Sequence, residues 1–156
     1  QLFDHVWGAA FVLQQWPHIK AYGNRIDFEK LPLPSEQLKG YGIPLPLEDV
    51  PMERYTLVQQ DDLIRLGGEE LRVLFVPGHA PGHIAFYAGE SDILLSGDTL
   101  LQGTIGRTDF WYGDYDQLVE AIKSQYMTLP DETIVFSGHG PETTIGFERR
   151  KNPFLQ

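Results

Sequence analysis

Between Leu63 and Ser96 the chain is a succession of short apolar runs cut by turn residues, and this pattern restricts the fold more than any other. Leu63–Leu66 and Leu71–Val76 flank Gly67-Gly68, which two glutamates follow, a hairpin signal. Ile84–Ala88 and Ile93–Ser96 are two further runs, and Gly89-Glu90-Ser91-Asp92 between them is a turn by composition. Runs this short, bounded by glycine and acidic residues, read as strands of one sheet.

Helices bracket these strands. Asp114 can cap a helix running to about Tyr126, with Leu118, Val119, Ile122 and Tyr126 on one face. Pro130-Asp131-Glu132 makes a turn, Thr133–Phe136 the last strand, and a short helix around Phe147–Lys151 ends before Pro153. Upstream, Val6, Ala9, Ala10, Leu13 and Trp16 predict an amphipathic helix over Val6–Trp16 that Pro17 terminates. Ile19–Tyr22 reads as a short strand. Residues 23–54 carry Pro32, Pro34, Pro44, Pro46 and Pro51 and predict a surface excursion with short helical pieces. Hairpins and helices together imply a sheet packed against helices, of α/β or α+β type. At 156 residues, 42% of them hydrophobic, one domain over residues 1–156 is expected.

The net charge of −10 disfavours nucleic-acid binding and adsorption to anionic membranes. No apolar run reaches transmembrane length and no signal-peptide pattern is seen, so a cytoplasmic location is expected. With no cysteine in the chain, a disulfide framework, a thiolate nucleophile and a Cys-ligated zinc are all excluded. Any metal must sit on histidine and carboxylate.

There are five histidines, and four of them stand beside Asp or in glycine-rich turns at strand ends. His5 follows Asp4. His79 and His83 lie in Val76-Pro-Gly-His-Ala-Pro-Gly-His83. Asp98 lies in Ser96-Gly-Asp-Thr99 and His139 in Ser137-Gly-His-Gly-Pro141, each directly after a strand. Small neighbours let the backbone turn and leave room for an ion. A single His in a loop is more often a hydrogen-bonding residue than a ligand, and His18, after Trp16-Pro17, reads as structural or solvated. It is the joint arrangement of the others that points to zinc, iron or manganese.

The order Asp-His, Pro-Gly-His-x-Pro-Gly-His, Ser-Gly-Asp-Thr, Ser-Gly-His-Gly-Pro resembles the metallo-β-lactamase superfamily. Gly106-Arg-Thr-Asp-Phe110, Pro141-Glu-Thr-Thr-Ile-Gly-Phe-Glu148 and Asn152-Pro-Phe-Leu155 look like its compact glyoxalase II-like (hydroxyacylglutathione hydrolase-like) branch. The resemblance implies a metallo-β-lactamase αβ/βα sandwich, here lacking its first N-terminal strands. It also implies two metal sites. His83 matches a ligand of the first, Asp4, His5 and His139 match ligands of the second, and Asp98 matches the carboxylate that bridges both. Asp4 and Asp98 are then the catalytic carboxylates. His79 matches a position beside the site that orients a neighbour. Two histidines of the superfamily's His-x-His-x-Asp-His motif have no counterpart: the middle one falls on Leu2 and the first would precede Gln1. One zinc is therefore expected here, with iron or manganese as alternatives.

The reaction so implied is hydrolysis of a thioester such as S-lactoylglutathione by a metal-bound hydroxide. Arg107 matches a basic residue that contacts the substrate; the competing reading is an ion pair with Asp109 or Asp114. Trp111 and Tyr112 either shape the pocket rim or pack. Two alternatives stand beside the thioesterase: an iron enzyme of the persulfide dioxygenase type, and a non-catalytic metal-binding fragment. A small-molecule thioester is the expected partner, and self-association into a homo-oligomer is expected from apolar surface around Phe75, Ile84, Phe86 and Leu94.

Overall fold

The computed structural model describes residues 2–156. The chain divides into two compact units, one ending at Val58 and one spanning Gln59–Gln156.

The first unit begins with α1 (Phe3–Val6) and α2 (Ala9–Gln15). The helix expected over Val6–Trp16 is therefore broken: Gly8 stands at the start of α2, and glycine is the weakest non-proline residue for propagating a helix. Pro17 follows the end of α2 as anticipated. β1 (Ala21–Gly23) pairs in parallel with β2 (Tyr55–Leu57), which follows a 3₁₀ turn at Met52–Arg54. Residues 24–51 cross between these strands and carry α3 (Arg25–Lys30) and α4 (Pro34–Gly40). Both helices start on local chemistry. The Asn24 side chain accepts from Ile26 N at 2.9 Å, and Pro34 opens α4, where Glu36 accepts from Leu33 N at 3.1 Å.

The second unit is built on a six-stranded sheet of β3 (Leu63–Leu66), β4 (Glu69–Phe75), β5 (Ile84–Ala88), β6 (Ile93–Gly97), β9 (Ile134–Ser137) and β10 (Thr143–Thr144), ordered β10-β9-β6-β5-β4-β3. β3 and β4 form the expected hairpin, with Leu66 opposite Glu69 and Gly67 at φ +62°. Between β6 and β9 lie the two-residue strands β7 (Leu100–Leu101) and β8 (Thr104–Ile105) and the helix α5 (Tyr115–Gln125). β6 and β9 are parallel neighbours, so α5 belongs to the crossover joining them. Asp114 caps α5 through a bond from Gln117 N at 2.9 Å.

One face of the sheet carries Leu74, Ala85, Leu94 and Val135. They form a closed core with Leu118 and Ile122 of α5 and with Tyr126 just beyond it. The opposite face carries Phe86, Leu95 and Phe136 in register across β5, β6 and β9. Leu95 and Phe136 on it are 41% and 40% exposed. The strands are thus apolar on both faces, the signature of a sheet built for cover on two sides.

α6 (Ile145–Lys151) closes the unit. Its Glu148 is fully buried, and its carboxylate accepts from Thr143 Oγ1 at 2.6 Å, Asn152 Nδ2 at 2.7 Å and Gly103 N at 3.1 Å. No described helix is long and apolar enough to cross a membrane.

Candidate metal centre

The parallel pair β6 and β9 places Asp98 and His139 side by side. Gly97 is opposite Ser137, and the next residues of each strand turn away at its carboxyl end. Gly138 N bonds Gly97 O at 2.9 Å and fastens one turn to the other. His139 Nε2 then lies 3.4 Å from Asp98 Oδ2, with side chains 57% and 13% exposed. This is where open α/β sheets place their ligands.

Gly97 is required twice. Its φ of +55° suits glycine, and a Cβ there would come within 2.7 Å of the His83 ring. The Nε2 of that ring reaches Ser96 O at 3.0 Å. A carbonyl only accepts, so Nε2–H is the donor and the proton sits on Nε2. Ser96 O also accepts from Thr99 Oγ1 at 2.8 Å, and Thr99 Oγ1 is 2.8 Å from Tyr126 OH. Burial pushes the Tyr126 phenol above its ordinary value, and its bond with Thr99 offsets this in part.

His79 is 3% exposed. Its Nδ1–H donates to Arg107 O at 2.8 Å, and Nε2 faces Asp98 Oδ2 at 3.9 Å without a hydrogen bond. The Gly106 turn wedges between the two: a Cβ there would collide with Asp98 O and come within 3.2 Å of the His79 ring. His79 therefore anchors the Arg107 carbonyl, with its ring beside Asp98.

In the first unit, consecutive positions of α1 hold His5 Nε2 3.6 Å from Asp4 Oδ2. Within the first unit Asp4 and His5, and within the second Asp98 and His139, are thus two pairs of neighbouring carboxylate and imidazole donors. Such imidazole and carboxylate donors suit zinc, iron or manganese. His83 is turned the other way, with its Nε2 on Ser96 O.

Arg107 makes the ion pair that competed with its substrate role. Its Nε and one terminal nitrogen donate to the two Asp109 oxygens, both at 2.7 Å, and the guanidinium lies 4.3 Å from the Phe110 ring centroid. The pair holds the Asp109 carboxyl below the usual range. Tyr112 stacks on Phe110, which fits packing, whereas Trp111 is largely exposed. Sequence reasoning missed Ser96 and Tyr126 as braces of the site. The glycine after Ser96 was a signal for the first; for Tyr126 only its apolar neighbours were visible.

Residues 3–139 match the family described as the metallo-beta-lactamase superfamily. The chain belongs to it. It is 40% identical over 156 residues to the hydroxyacylglutathione hydrolase GloC of Haemophilus influenzae, covering 97% of this chain and 71% of that protein. It is 38% identical over 153 residues to the probable metallo-hydrolase YqgX of Bacillus subtilis, covering 98% and 71%. Two solved structures superpose closely. BLEG-1, described as a B3 metallo-beta-lactamase, gives a TM-score of 0.86 at 34% identity, over 99% of this chain and 73% of that one. TTHA1623, solved in a di-iron-bound form, gives 0.84 at 35% identity over the same shares. The expected fold, a mixed α/β metallo-beta-lactamase architecture in a chain shorter than its relatives, is thereby met.

Proposed function

We propose that this metallo-hydrolase of the metallo-beta-lactamase superfamily cleaves a thioester of the S-lactoylglutathione type. The observation that carries the reading is the Asp98–His139 pair at the carboxyl ends of β6 and β9, in a chain 40% identical to a hydroxyacylglutathione hydrolase. The bound cation would supply Lewis acidity, lowering the pKa of water towards about 7 and offsetting negative charge on the carbonyl oxygen. By the family resemblance, Asp98 and Asp4 would contribute carboxylates, and His5 and His139 imidazoles. Zinc and iron both suit these donors, and a di-iron relative makes iron a specific alternative.

The chain's own residues shape the rest. His79 holds the Arg107 backbone, and Gly106 lets that turn come close to the Asp98 carbonyl. Arg107 is the proposed contact for a substrate carboxylate, and to make it the guanidinium exchanges Asp109 for the ligand while keeping its seat on Phe110. A thiolate leaves without a strong general acid, so no further proton donor is needed at the leaving group.

A second reading, a metal-binding domain without catalysis, is favoured by one observation: His83, matched to the first metal site, donates its Nε2 proton to Ser96 O. The test is turnover of S-lactoylglutathione by the zinc-loaded and the iron-loaded protein, with metal counted in the same samples. Turnover that Asp98→Asn reduces by about 100-fold or more supports the hydrolase. Full metal occupancy with no turnover supports the second reading.

A further inference from the structure

The first unit holds a pocket that the metal chemistry does not use. It lies between α3 and the chain from Pro32 to Met52 and encloses about 340 Å³, at the small end of ligand-binding cavities. Phe28, Leu31, Pro34 and Met52 supply apolar wall. Three prolines border it, at positions 32, 34 and 51, and fix the backbone that carries them, so the space is preformed.

Charge selects the occupant. Asp27, Glu29 and Asp49 line the pocket, and no lysine, arginine or histidine does. Asp49 is held rigidly: Ser35 N donates to it at 2.9 Å and Ser35 Oγ at 2.5 Å. Both donors are neutral, so they position the carboxylate without cancelling its charge. Glu29 has Arg25 3.7 Å away on the exposed side of α3, and Asp27 is buried within α3, so Asp49 is the wall's anion whose position the Ser35 donors fix. An anionic ligand is repelled by such a wall. A divalent ion is disfavoured as well, because Asp27, Glu29 and Asp49 are not among the described residues that converge as three or more metal ligands.

We propose that this pocket binds a small organic cation, a primary ammonium on an apolar body of about six carbons. The alkyl part fills the space between Phe28, Leu31 and Met52, and the ammonium faces Asp49. The match is one of volume, apolar lining and charge complementarity, and it is independent of the reaction proposed above.

The experiment is an NMR titration of the ¹⁵N-labelled 156-residue chain with hexylamine, hexanol and hexanoate. Saturable shifts at the amides of Phe28, Leu31 and Met52 are expected for hexylamine, with hexanol about fivefold weaker, as for a partly exposed ion pair, and hexanoate inert. Asp49→Asn keeps an acceptor for Ser35 and should bring hexylamine down to the level of hexanol. Met52→Trp fills the space and should abolish both, and a matching melting temperature shows that each variant is folded. The proposal is overturned if hexanoate binds as well as hexylamine, if the shifts lie away from the pocket, if none of the three binds, or if Asp49→Asn leaves the preference intact.

Discussion

Replacing Gly97 by alanine tests how the metal centre is held. The residue has φ +55°, a region that costs an L-residue about 1–2 kcal/mol. The new Cβ would also stand 2.7 Å from His83 Cε1 and 2.8 Å from His83 Nε2, so the ring must move. Moving it stretches the 3.0 Å bond from Nε2–H to Ser96 O, worth about 1 kcal/mol. Together these come to about 2–3 kcal/mol, which in a chain of this length lowers the melting temperature by roughly 5–10 °C. Circular-dichroism melts of the two proteins in excess chelator measure this without a contribution from metal. The His83 ring resonances should show the Nε2 proton exchanging faster in the variant. A melting temperature within about 1 °C of the parent, with the His83 tautomer unchanged, would refute the argument that Gly97 exists to seat that ring.

Three other outcomes follow from the same structure. Glu148→Ala removes the acceptor for Gly103 N, Thr143 Oγ1 and Asn152 Nδ2 in a fully buried place, and urea unfolding should show a loss of about 3–5 kcal/mol. The hydrogen bond from Arg107 lowers the Asp109 pKa below the ordinary 3.8 in the folded state. Its stabilising contribution is therefore present above that value and lost as pH falls through the depressed one; carboxyl NMR should show the depression, and Arg107→Ala should remove it. The exposed apolar face around Leu95 and Phe136 should drive self-association, which sedimentation would detect and Phe136→Glu would weaken, whereas a stable monomer at all concentrations counts against it.

Where local pattern and tertiary demand agree, the sequence is readable. Ile84–Ala88 forms the strand expected, because glycines and acidic residues bound an apolar run of that length. Asp114 caps α5 as its position before a periodic apolar face requires. The helix across Gly8 was not readable as broken, since the apolar spacing from Val6 to Trp16 continues through a residue that cannot sustain the ladder. β7, β8 and β10, of two residues each, are too short to carry any period. In the site, Asp98 and His139 were legible from their glycine neighbours and from the strands before them. The orientation of His83 was not, because it depends on the Ser96 carbonyl in an adjacent strand. Arg107 satisfied two readings equally well, and only the placement of Asp109 shows which contact it makes in this state.

The parallel pairing of β6 with β9 also sets when the centre can exist during folding. Hairpin partners such as β3 and β4 meet after closing a loop of two residues, whereas Asp98 and His139 meet only after the chain has passed through β7, β8 and α5 and returned. Closing so long a connection is slow, because the entropy of the crossover is lost before its contacts form. Until that return is made, Asp98 and His139 belong to separate stretches of chain. Rapid-mixing capture of a spectroscopically visible ion such as cobalt would therefore time the last major event in assembly of the second unit.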